Sequence, residues 1–176
     1  MRTVATNVYN YFELSEEAKE KAFNDFCYSH DYPFHYDNEK TLDSLEGITT
    51  TTVNNWEYDL YSFRFNVHVD DEELDELSGV ALRDYLIDNF YDYMMDKKEL
   101  TGYFLDWVFF GEMKKQLVEI DLNGNEEITY HYVMHKCFKA MFEAICDELQ
   151  DYYSIGNFEE LNEMNEWEYL ENGELY

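Results

Sequence analysis

Residues 133–152, VMHKCFKAMFEAICDELQDY, and residues 63–69, FRFNVHV, indicate two different kinds of secondary structure in one chain. In the first segment, apolar side chains recur at spacings of three and four residues, as on the buried face of a helix. In the second segment every other residue is apolar, as in a strand with one buried face. We therefore predict an α+β fold in which a small antiparallel sheet packs against several helices.

Capping residues and shorter periodic segments predict the remaining elements. Residues 100–118 fit either a buried helix or an aromatic strand, because periodicity alone does not separate the two. The other expected elements are a strand over 3–11, a helix capped by Ser15 and closed by Pro33, a short helix over 36–45 ended by Gly47, strands over 48–53 and 56–69 joined at Asn54–Asn55, a helix from Ser78 to Met95, and a C-terminal hairpin around Asn172–Gly173.

The composition combines a large charge imbalance with enough apolar residues to form a core. The 176 residues include 40 Asp plus Glu and 12 Lys plus Arg, which gives a formal net charge of −28. This sign excludes a nucleic-acid binder of the usual basic kind. Hydrophobic residues make up 45% of the chain and aromatic residues 19%, so the chain is not of the disordered class. With one proline and no flexible linker, residues 1–176 are expected to form a single compact acidic domain.

Targeting and cysteine signals favour a reducing cytoplasm and no membrane. The N-terminal residues lack the apolar segment of a secretory signal, and the longest apolar stretch, residues 103–110, is interrupted by Asp106. The three cysteines, Cys27, Cys137 and Cys146, are odd in number and lack C-x-x-C spacing. That pattern is typical of free thiols in a reducing compartment, not of disulfides or a zinc cluster.

Acidic residues recur every four positions along two predicted helices. Like charges at this spacing destabilise a helix by roughly 0.2–0.5 kcal/mol per pair, and an ordinary solvated face mixes them with lysine. Rows of carboxylates at phosphate-like separations are able to occupy a basic cleft that normally holds DNA. Such DNA mimicry is one interpretation, and two solvated amphipathic faces are the other. The rows are Asp84, Asp88, Asp92 and Asp96 on one helix and Glu143, Asp147 and Asp151 on the other.

A third acidic surface is expected in residues 70–76, where six of seven residues are acidic. So dense a run is usually a solvated loop or the start of a helix, and of these we favour the solvated loop. Alternatives are a second part of a mimic surface and a weak site for a hard cation. The six residues are Asp70, Asp71, Glu72, Glu73, Asp75 and Glu76.

Residues 121–132, DLNGNEEITYHY, imitate a calcium-binding EF-hand loop but fail two of its requirements. Glu126 replaces the invariant glycine and Tyr132 replaces the bidentate glutamate. We therefore favour a hairpin in which residues 116–122 turn through 123–125 into residues 127–133. His131, His135 and Cys137 supply at most a weak metal site. No nucleophile, phosphate-binding or dinucleotide motif occurs, so we predict no enzyme, no cofactor and no metal.

Two short segments resemble a known group of proteins. Residues 11–22, YFELSEEAKEKA, and residues 165–176, NEWEYLENGELY, resemble the two ends of a family of small uncharacterised phage and prophage proteins. The resemblance covers about 24 residues and implies a phage-encoded cytoplasmic protein, with no catalytic residues to carry over. In composition and size the chain is also similar to the acidic DNA-mimic proteins with which phages inhibit restriction enzymes and CRISPR nucleases.

The leading functional hypothesis is therefore a phage-encoded inhibitor of a host nucleic-acid-binding defence protein. The acids of the two rows and of residues 70–76 would replace phosphates, and Tyr85, Tyr91 and Tyr152 would stack on arginines of the partner. The partner would be a basic CRISPR effector or restriction enzyme, without direct contact to nucleic acid or membrane, and the inhibitor a monomer or homodimer. The alternative is a non-inhibitory phage accessory or antitoxin-like interaction protein that binds a basic partner. A calcium-binding module at residues 121–132 is a third hypothesis.

Overall fold

The computed structural model describes residues 6–123 and 127–176, and for residues 122 and 123 the backbone only. Helices dominate, and the strands form two separate antiparallel pairs, β1 with β4 and β2 with β3. This architecture confirms the predicted α+β class. The elements are β1 (Tyr9–Asn10), a 3₁₀ turn (Tyr11–Glu13), α1 (Glu16–Ser29), α2 (His35–Thr49), β2 (Thr51–Tyr58), β3 (Phe63–Val69), α3 (Glu72–Asp75), α4 (Gly79–Met94), α5 (Phe104–Asn123), α6 (Tyr130–Tyr152), α7 (Ile155–Asn165) and β4 (Glu168–Tyr169).

Contacts group the described chain into two compact units. The terminal unit comprises residues 6–32 and 149–176, and the central unit comprises Pro33–Glu148. The expectation of a single domain stays a prediction. In the part of the chain that the structure describes, no helix combines the length and apolar character needed to cross a membrane.

The core of the terminal unit is aromatic and is built around Phe158 of α7. Tyr11 meets the Phe158 ring edge-on at 5.1 Å, and Phe26 of α1 lies 4.9 Å from it. Ser15 caps α1 as predicted, because its Oγ accepts a hydrogen bond from the Ala18 amide at 3.3 Å. Of the strand predicted over residues 3–11, residues 3–5 lie outside the described residues. Over residues 6–11 the strand is shorter than predicted, because only Tyr9–Asn10 is a strand and Tyr11 begins a 3₁₀ turn.

The predicted C-terminal hairpin is present and packs closely on α1. The Gly173 amide donates to the Leu170 carbonyl at 2.9 Å, and the Tyr176 amide donates to the Glu168 carbonyl at 2.9 Å. Gly173 is buried with a φ of +83°, a conformation that glycine adopts without strain. A Cβ at this position would lie 2.2 Å from the backbone oxygen of Ala18. The turn therefore meets α1 backbone to backbone, which leaves no room for a side chain.

In the central unit, β2 and β3 form a hairpin whose turn differs from the predicted one. Asn54 and Asn55 lie inside β2, where the register shifts and Asn55 takes a φ of +54°. The turn instead begins at Asp59, whose carboxylate accepts hydrogen bonds from the Tyr61 and Ser62 amides and from the Ser62 hydroxyl. These hydrogen bonds hold the pKa of Asp59 below its usual value. The turn therefore forms where the Asp59 carboxylate stabilises it and not at Asn54–Asn55, as the sequence predicted.

The side-chain alternation predicted for residues 63–69 is confirmed. Phe63, Phe65, Val67 and Val69 are buried or half-buried, and the residues between them are exposed. The Phe65 ring stacks on Phe142 of α6 at 5.0 Å. The hairpin therefore packs against the long helix α6, as expected for a small sheet covered by helices.

Two helix boundaries in the central unit differ from the sequence predictions. Helix α2 continues through Gly47 to Thr49, and the left-handed residue that follows it is Thr50, with a φ of +53°.

Residues 104–118, for which the sequence left both a helix and a strand open, belong to helix α5. The hairpin predicted over residues 116–133 is wrong, because residues up to Asn123 are helical and α6 begins at Tyr130. Its turn residues 124–126 lie outside the described residues.

A buried carboxylate organises the start of α5. Asp106 is 3% exposed, and its Oδ2 accepts hydrogen bonds from the amides of Leu100, Thr101 and Gly102 at 3.1, 2.7 and 2.9 Å. Its Oδ1 accepts from the Thr101 hydroxyl at 2.9 Å. Sequence reasoning treated Asp106 only as an interruption of an apolar stretch. In the structure this carboxylate closes the loop that connects α4 to α5.

Candidate acidic binding surfaces

The predicted row on α4 is present over three of its four residues. Asp84, Asp88 and Asp92 are exposed, whereas the opposite face of the helix is apolar and buried. Leu82, Leu86, Phe90 and Met94 form that buried face, and each is at most 3% exposed. The amphipathic helix therefore holds the three carboxylates on its solvent side.

Asp96, the fourth predicted member, lies beyond the helix. Helix α4 ends at Met94, and Asp96 has a φ of +53°. Its amide donates to the Tyr93 carbonyl at 3.2 Å, and the Lys97 amide donates to the Asp92 carbonyl at 2.8 Å. This pair of hydrogen bonds is a Schellman motif, in which the left-handed position is usually glycine.

At the other end of α4, Ser78 occupies the N-cap position that the sequence predicted, but its side chain makes no hydrogen bond to the helix.

Replacing Asp96 with glycine is expected to stabilise the protein by about 0.5–1 kcal/mol, because glycine adopts the left-handed conformation without the Cβ clash. Urea unfolding followed by circular dichroism measures the change. Asp88→Gly in the middle of α4 is the matched control and is expected to destabilise by about 0.5–1 kcal/mol. Equal destabilisation by both substitutions would show that the Asp96 side chain stabilises this helix end.

Cations of the protein lie beside the α4 row. Arg83 forms ion pairs with Asp84, at 2.8 Å, and with Asp121 of α5. The Asp121 carboxylate raises the pKa of the Arg83 guanidinium. At the other end, Lys97 lies 3.8 Å from Asp92. The row is therefore partly compensated, which the sequence analysis did not anticipate.

Two tyrosine rings beside the row already make cation–π contacts with lysines of the protein. The ammonium group of Lys97 lies 4.5 Å from the centre of the Tyr91 ring, and that of Lys98 lies 4.6 Å from Tyr93. Of the three tyrosines predicted to stack on arginines, Tyr91 exposes 42% of its surface. Tyr85 packs edge-on against Tyr130 at 5.6 Å, and Tyr152 belongs to the aromatic core of the terminal unit. Among these three, Tyr91 presents the most accessible ring.

The acidic segment of residues 70–76 is exposed and contains the short helix α3. Asp71 caps this helix by accepting hydrogen bonds from the Glu73 and Leu74 amides at 2.9 and 3.2 Å. Asp70 accepts from the Thr52 hydroxyl at 3.0 Å and is thereby held against β2. All six acids are exposed, as expected for a solvated segment. Glu72–Asp75 form a short helix, which is the helix-start alternative and not the favoured loop.

The second predicted row follows the exposed side of α6. Glu143 accepts a hydrogen bond from Lys139 at 2.8 Å, and Asp147 is exposed one turn later. Asp151 is also exposed but belongs to the terminal unit. Within the central unit this row therefore contributes Asp147 and a partly compensated Glu143.

The described residues of the EF-hand-like segment do not form a metal site. Asp121 lies on α5 and pairs with Arg83. His135 packs on Phe65 at 5.0 Å, and His131 Nε2 lies 3.2 Å from the Val67 carbonyl oxygen. Within residues 6–123 and 127–176, no three His, Cys, Asp or Glu residues are placed to hold a metal ion.

The terminal unit contains an acidic cleft that sequence reasoning missed. The cleft has a volume of about 470 Å³ and lies between residues 8–13 and 162–168. Its lining includes Glu13, Glu163, Glu166 and Glu168, the exposed ring of Phe12 and the half-buried ring of Trp167. Helix α7, which carries part of this wall, was absent from the predicted elements. The available signal was Ser154 followed by apolar residues at helical spacing, since Ser154 Oγ accepts from the Asn157 amide at 3.2 Å.

Per described residue, the terminal unit carries more net negative charge than the central unit. Its described residues include 14 Asp plus Glu and two lysines, Lys19 and Lys21. Lys19 pairs with Glu16 at 3.0 Å, and Lys21 pairs with Glu174 at 3.1 Å. Neither lysine lines the cleft.

A comparison of the chain with protein-family models, curated proteins and solved structures finds no match.

Proposed function

We propose that the protein is an inhibitor that occupies the basic nucleic-acid cleft of a host defence protein, with carboxylates in place of phosphates. The observation that supports this proposal best is the exposed row of Asp84, Asp88 and Asp92 on one side of α4. The protein would act in the cytoplasm of a phage-infected bacterium, on a CRISPR nuclease or a restriction enzyme. It would act by binding alone, without catalysis.

Charge spacing indicates that the α4 row needs a second acidic surface. Residues four apart on a helix are separated by about 6 Å along its axis. Each strand of duplex DNA carries one charge per about 3.4 Å of axis. The row alone thus has roughly half the linear charge density of one DNA strand, and Arg83 and Lys97 reduce it further. In the same unit, the exposed acids of residues 70–76 supply the additional charge that the proposal requires.

A DNA-displacement experiment tests the proposal. Purified CRISPR nucleases and restriction endonucleases are each bound to a fluorescent DNA duplex, and the protein is titrated in while anisotropy is recorded. At least one nuclease is expected to release its DNA, with an inhibitor affinity that falls steeply as salt rises, because the contacts are ionic. Failure to displace DNA from any nuclease, at low salt and excess protein, would contradict the proposal for these classes.

Charge reversal identifies the surface that acts. Asp84→Lys, Asp88→Lys and Asp92→Lys together are expected to weaken displacement at least about tenfold, since each contact in a basic cleft becomes repulsive. The matched control reverses Glu17, Glu20 and Glu160, three exposed acids of the terminal unit, and is expected to change displacement less than about threefold. Equal losses would mean that net charge matters and the α4 row does not.

A second candidate function is a non-inhibitory phage accessory or antitoxin-like interaction protein. It is favoured by a cleft of about 520 Å³ whose lining includes Tyr93, Trp107 and Phe110. Trp107 exposes 54% of its surface there, and Lys114 and Asp96 also line the cleft. A partner held mainly by such apolar contacts would bind with little salt dependence and would be indifferent to DNA.

A further inference from the structure

We propose that the acidic cleft of the terminal unit binds an arginine-bearing segment of a partner protein. This inference does not rest on the proposed function, because the α4 row and residues 70–76 belong to the other unit. A volume of about 470 Å³ lies within the range of small-ligand pockets, roughly 300–1,000 Å³, and is large enough for more than one side chain.

The charges that line the cleft select a cationic occupant. Glu163, Glu166 and Glu168 are exposed and line the cleft, and none of the described lysines and arginines lines it. Glu13 is already engaged, because its Oε2 accepts a hydrogen bond from the Asn10 amide at 3.0 Å. Three carboxylates therefore remain to accept hydrogen bonds from a ligand. Within the described residues they do not converge closely enough to hold a metal ion, so the occupant is an extended cation.

Aromatic side chains beside these carboxylates favour arginine over lysine. Phe12 is 48% exposed, and Trp167 is half-buried in the same lining. A guanidinium group is planar, stacks on aromatic faces and donates two parallel hydrogen bonds to a carboxylate. The ammonium group of lysine stacks less well on a ring and does not match a carboxylate with two parallel hydrogen bonds, because it is a compact and strongly hydrated charge. The combination of an exposed ring and several free carboxylates therefore matches the arginine side chain.

Binding of a short peptide tests this assignment. The probe is a capped Gly-Arg-Gly-Arg-Gly peptide with a neutral fluorescent label, titrated with the full-length protein at 150 mM salt and followed by anisotropy. Matched peptides carry lysine or the uncharged isostere citrulline in place of arginine. We expect the arginine peptide to bind at least about threefold more tightly than the lysine peptide, and the citrulline peptide not to bind.

Two double variants separate the cleft from the general negative charge. Glu163→Gln with Glu166→Gln is expected to weaken binding of the arginine peptide about tenfold, because two charge-assisted contacts are lost. Glu159→Gln with Glu160→Gln removes the same amount of charge from positions on α7 that do not line the cleft, and is expected to weaken binding less than about twofold. Phe12→Ala leaves the charge unchanged and is expected to weaken binding about threefold.

Several results would overturn the inference. Equal weakening by the two double variants would show that the peptide responds only to net charge. Equal affinity for the arginine and lysine peptides would remove the stacking argument, as would full affinity in Phe12→Ala. Absence of binding by the arginine peptide, or binding of the citrulline peptide, would also refute the assignment. Circular dichroism of each variant shows that a loss of binding does not reflect a loss of fold.

Discussion

Replacing Gly173 with alanine is expected to destabilise the terminal unit by about 3–5 kcal/mol. The new Cβ would lie 2.2 Å from the Ala18 carbonyl oxygen and 3.0 Å from the Ala18 carbonyl carbon. Both are backbone atoms of α1, so neither moves by a simple rotamer change. The left-handed φ adds roughly 1–2 kcal/mol for any residue with a Cβ. Relief of the clash requires the C-terminal turn to move away from the helix, which breaks its packing.

Amide hydrogen exchange shows which part of the terminal unit loses stability in Gly173→Ala. In the wild-type protein the Leu170 and Gly173 amides donate within the turn, to Glu174 and Leu170 respectively. In Gly173→Ala both amides are expected to lose protection, and the midpoint of urea unfolding is expected to fall. Wild-type protection of these amides in the variant would mean that the turn accommodates the methyl group without moving.

Two other glycines provide the control for Gly173. For Gly47 in α2 and Gly111 in α5, no described atom other than those of the adjacent residues and of the local helix backbone lies within 4 Å of the position that a Cβ would take. Alanine at either helical position is expected to stabilise the protein by about 0.5–1 kcal/mol, because alanine loses less conformational freedom on folding. The same chemical change therefore has opposite signs at these positions. If all three substitutions destabilised equally, the close approach to Ala18 would not be the cause.

Sequence periodicity predicted the elements whose signal is repeated over many residues. Helix α6 repeats the helical spacing at five apolar positions, and β3 repeats the two-residue spacing of a strand at four, so an error at one position changes little. Ser15 was equally clear, because a capping serine followed by two glutamates has a local physical role. These features depend on near neighbours in the chain, which a sequence displays directly.

Turn predictions failed where the decisive interaction was local but unrecognised. Asn54–Asn55 is a common hairpin signal, yet the chain turns at Asp59, where one carboxylate satisfies two amides and a hydroxyl. Gly47 was expected to end α2, but the helix continues to Thr49. In each case a residue that permits a turn was taken as one that requires it.

The acidic surfaces were predictable in position but not in electrostatic environment. Spacing alone placed Asp84, Asp88 and Asp92 on one exposed side of α4. The pairing of Arg83 with Asp121 joins residues 38 positions apart, and no local pattern reveals it. The same limit hid the cleft of the terminal unit, because its two walls come from residues 8–13 and 162–168. Contacts between distant segments need the fold.

Asp106 is the acidic residue whose removal we expect to cost most. Its buried carboxylate satisfies three consecutive amides and the Thr101 hydroxyl of the preceding loop. The Thr101 hydroxyl also lies 3.3 Å from that of Thr41. Hydrogen bonds to a charged group contribute about 1.5–3 kcal/mol each, and loss of the acceptor leaves its donors unsatisfied. Entry of water offsets part of this cost. We therefore expect Asp106→Ala to destabilise the central unit by about 3–5 kcal/mol, a value typical of removing one member of a buried charged network.

Asp106→Asn separates the role of the acceptor from that of the charge. The amide oxygen of asparagine is able to accept from the three backbone amides, and its NH₂ group is able to donate to the Thr101 hydroxyl. The expected loss is therefore smaller, about 1–2 kcal/mol, because neutral hydrogen bonds are weaker than charge-assisted ones. Asp88→Ala, on the exposed side of α4, removes the same charge and is expected to change stability by at most about 0.5 kcal/mol. Urea unfolding of the three variants gives the comparison. If Asp106→Ala were no more destabilising than Asp88→Ala, the loop before α5 would be held by its other contacts and not by the Asp106 carboxylate.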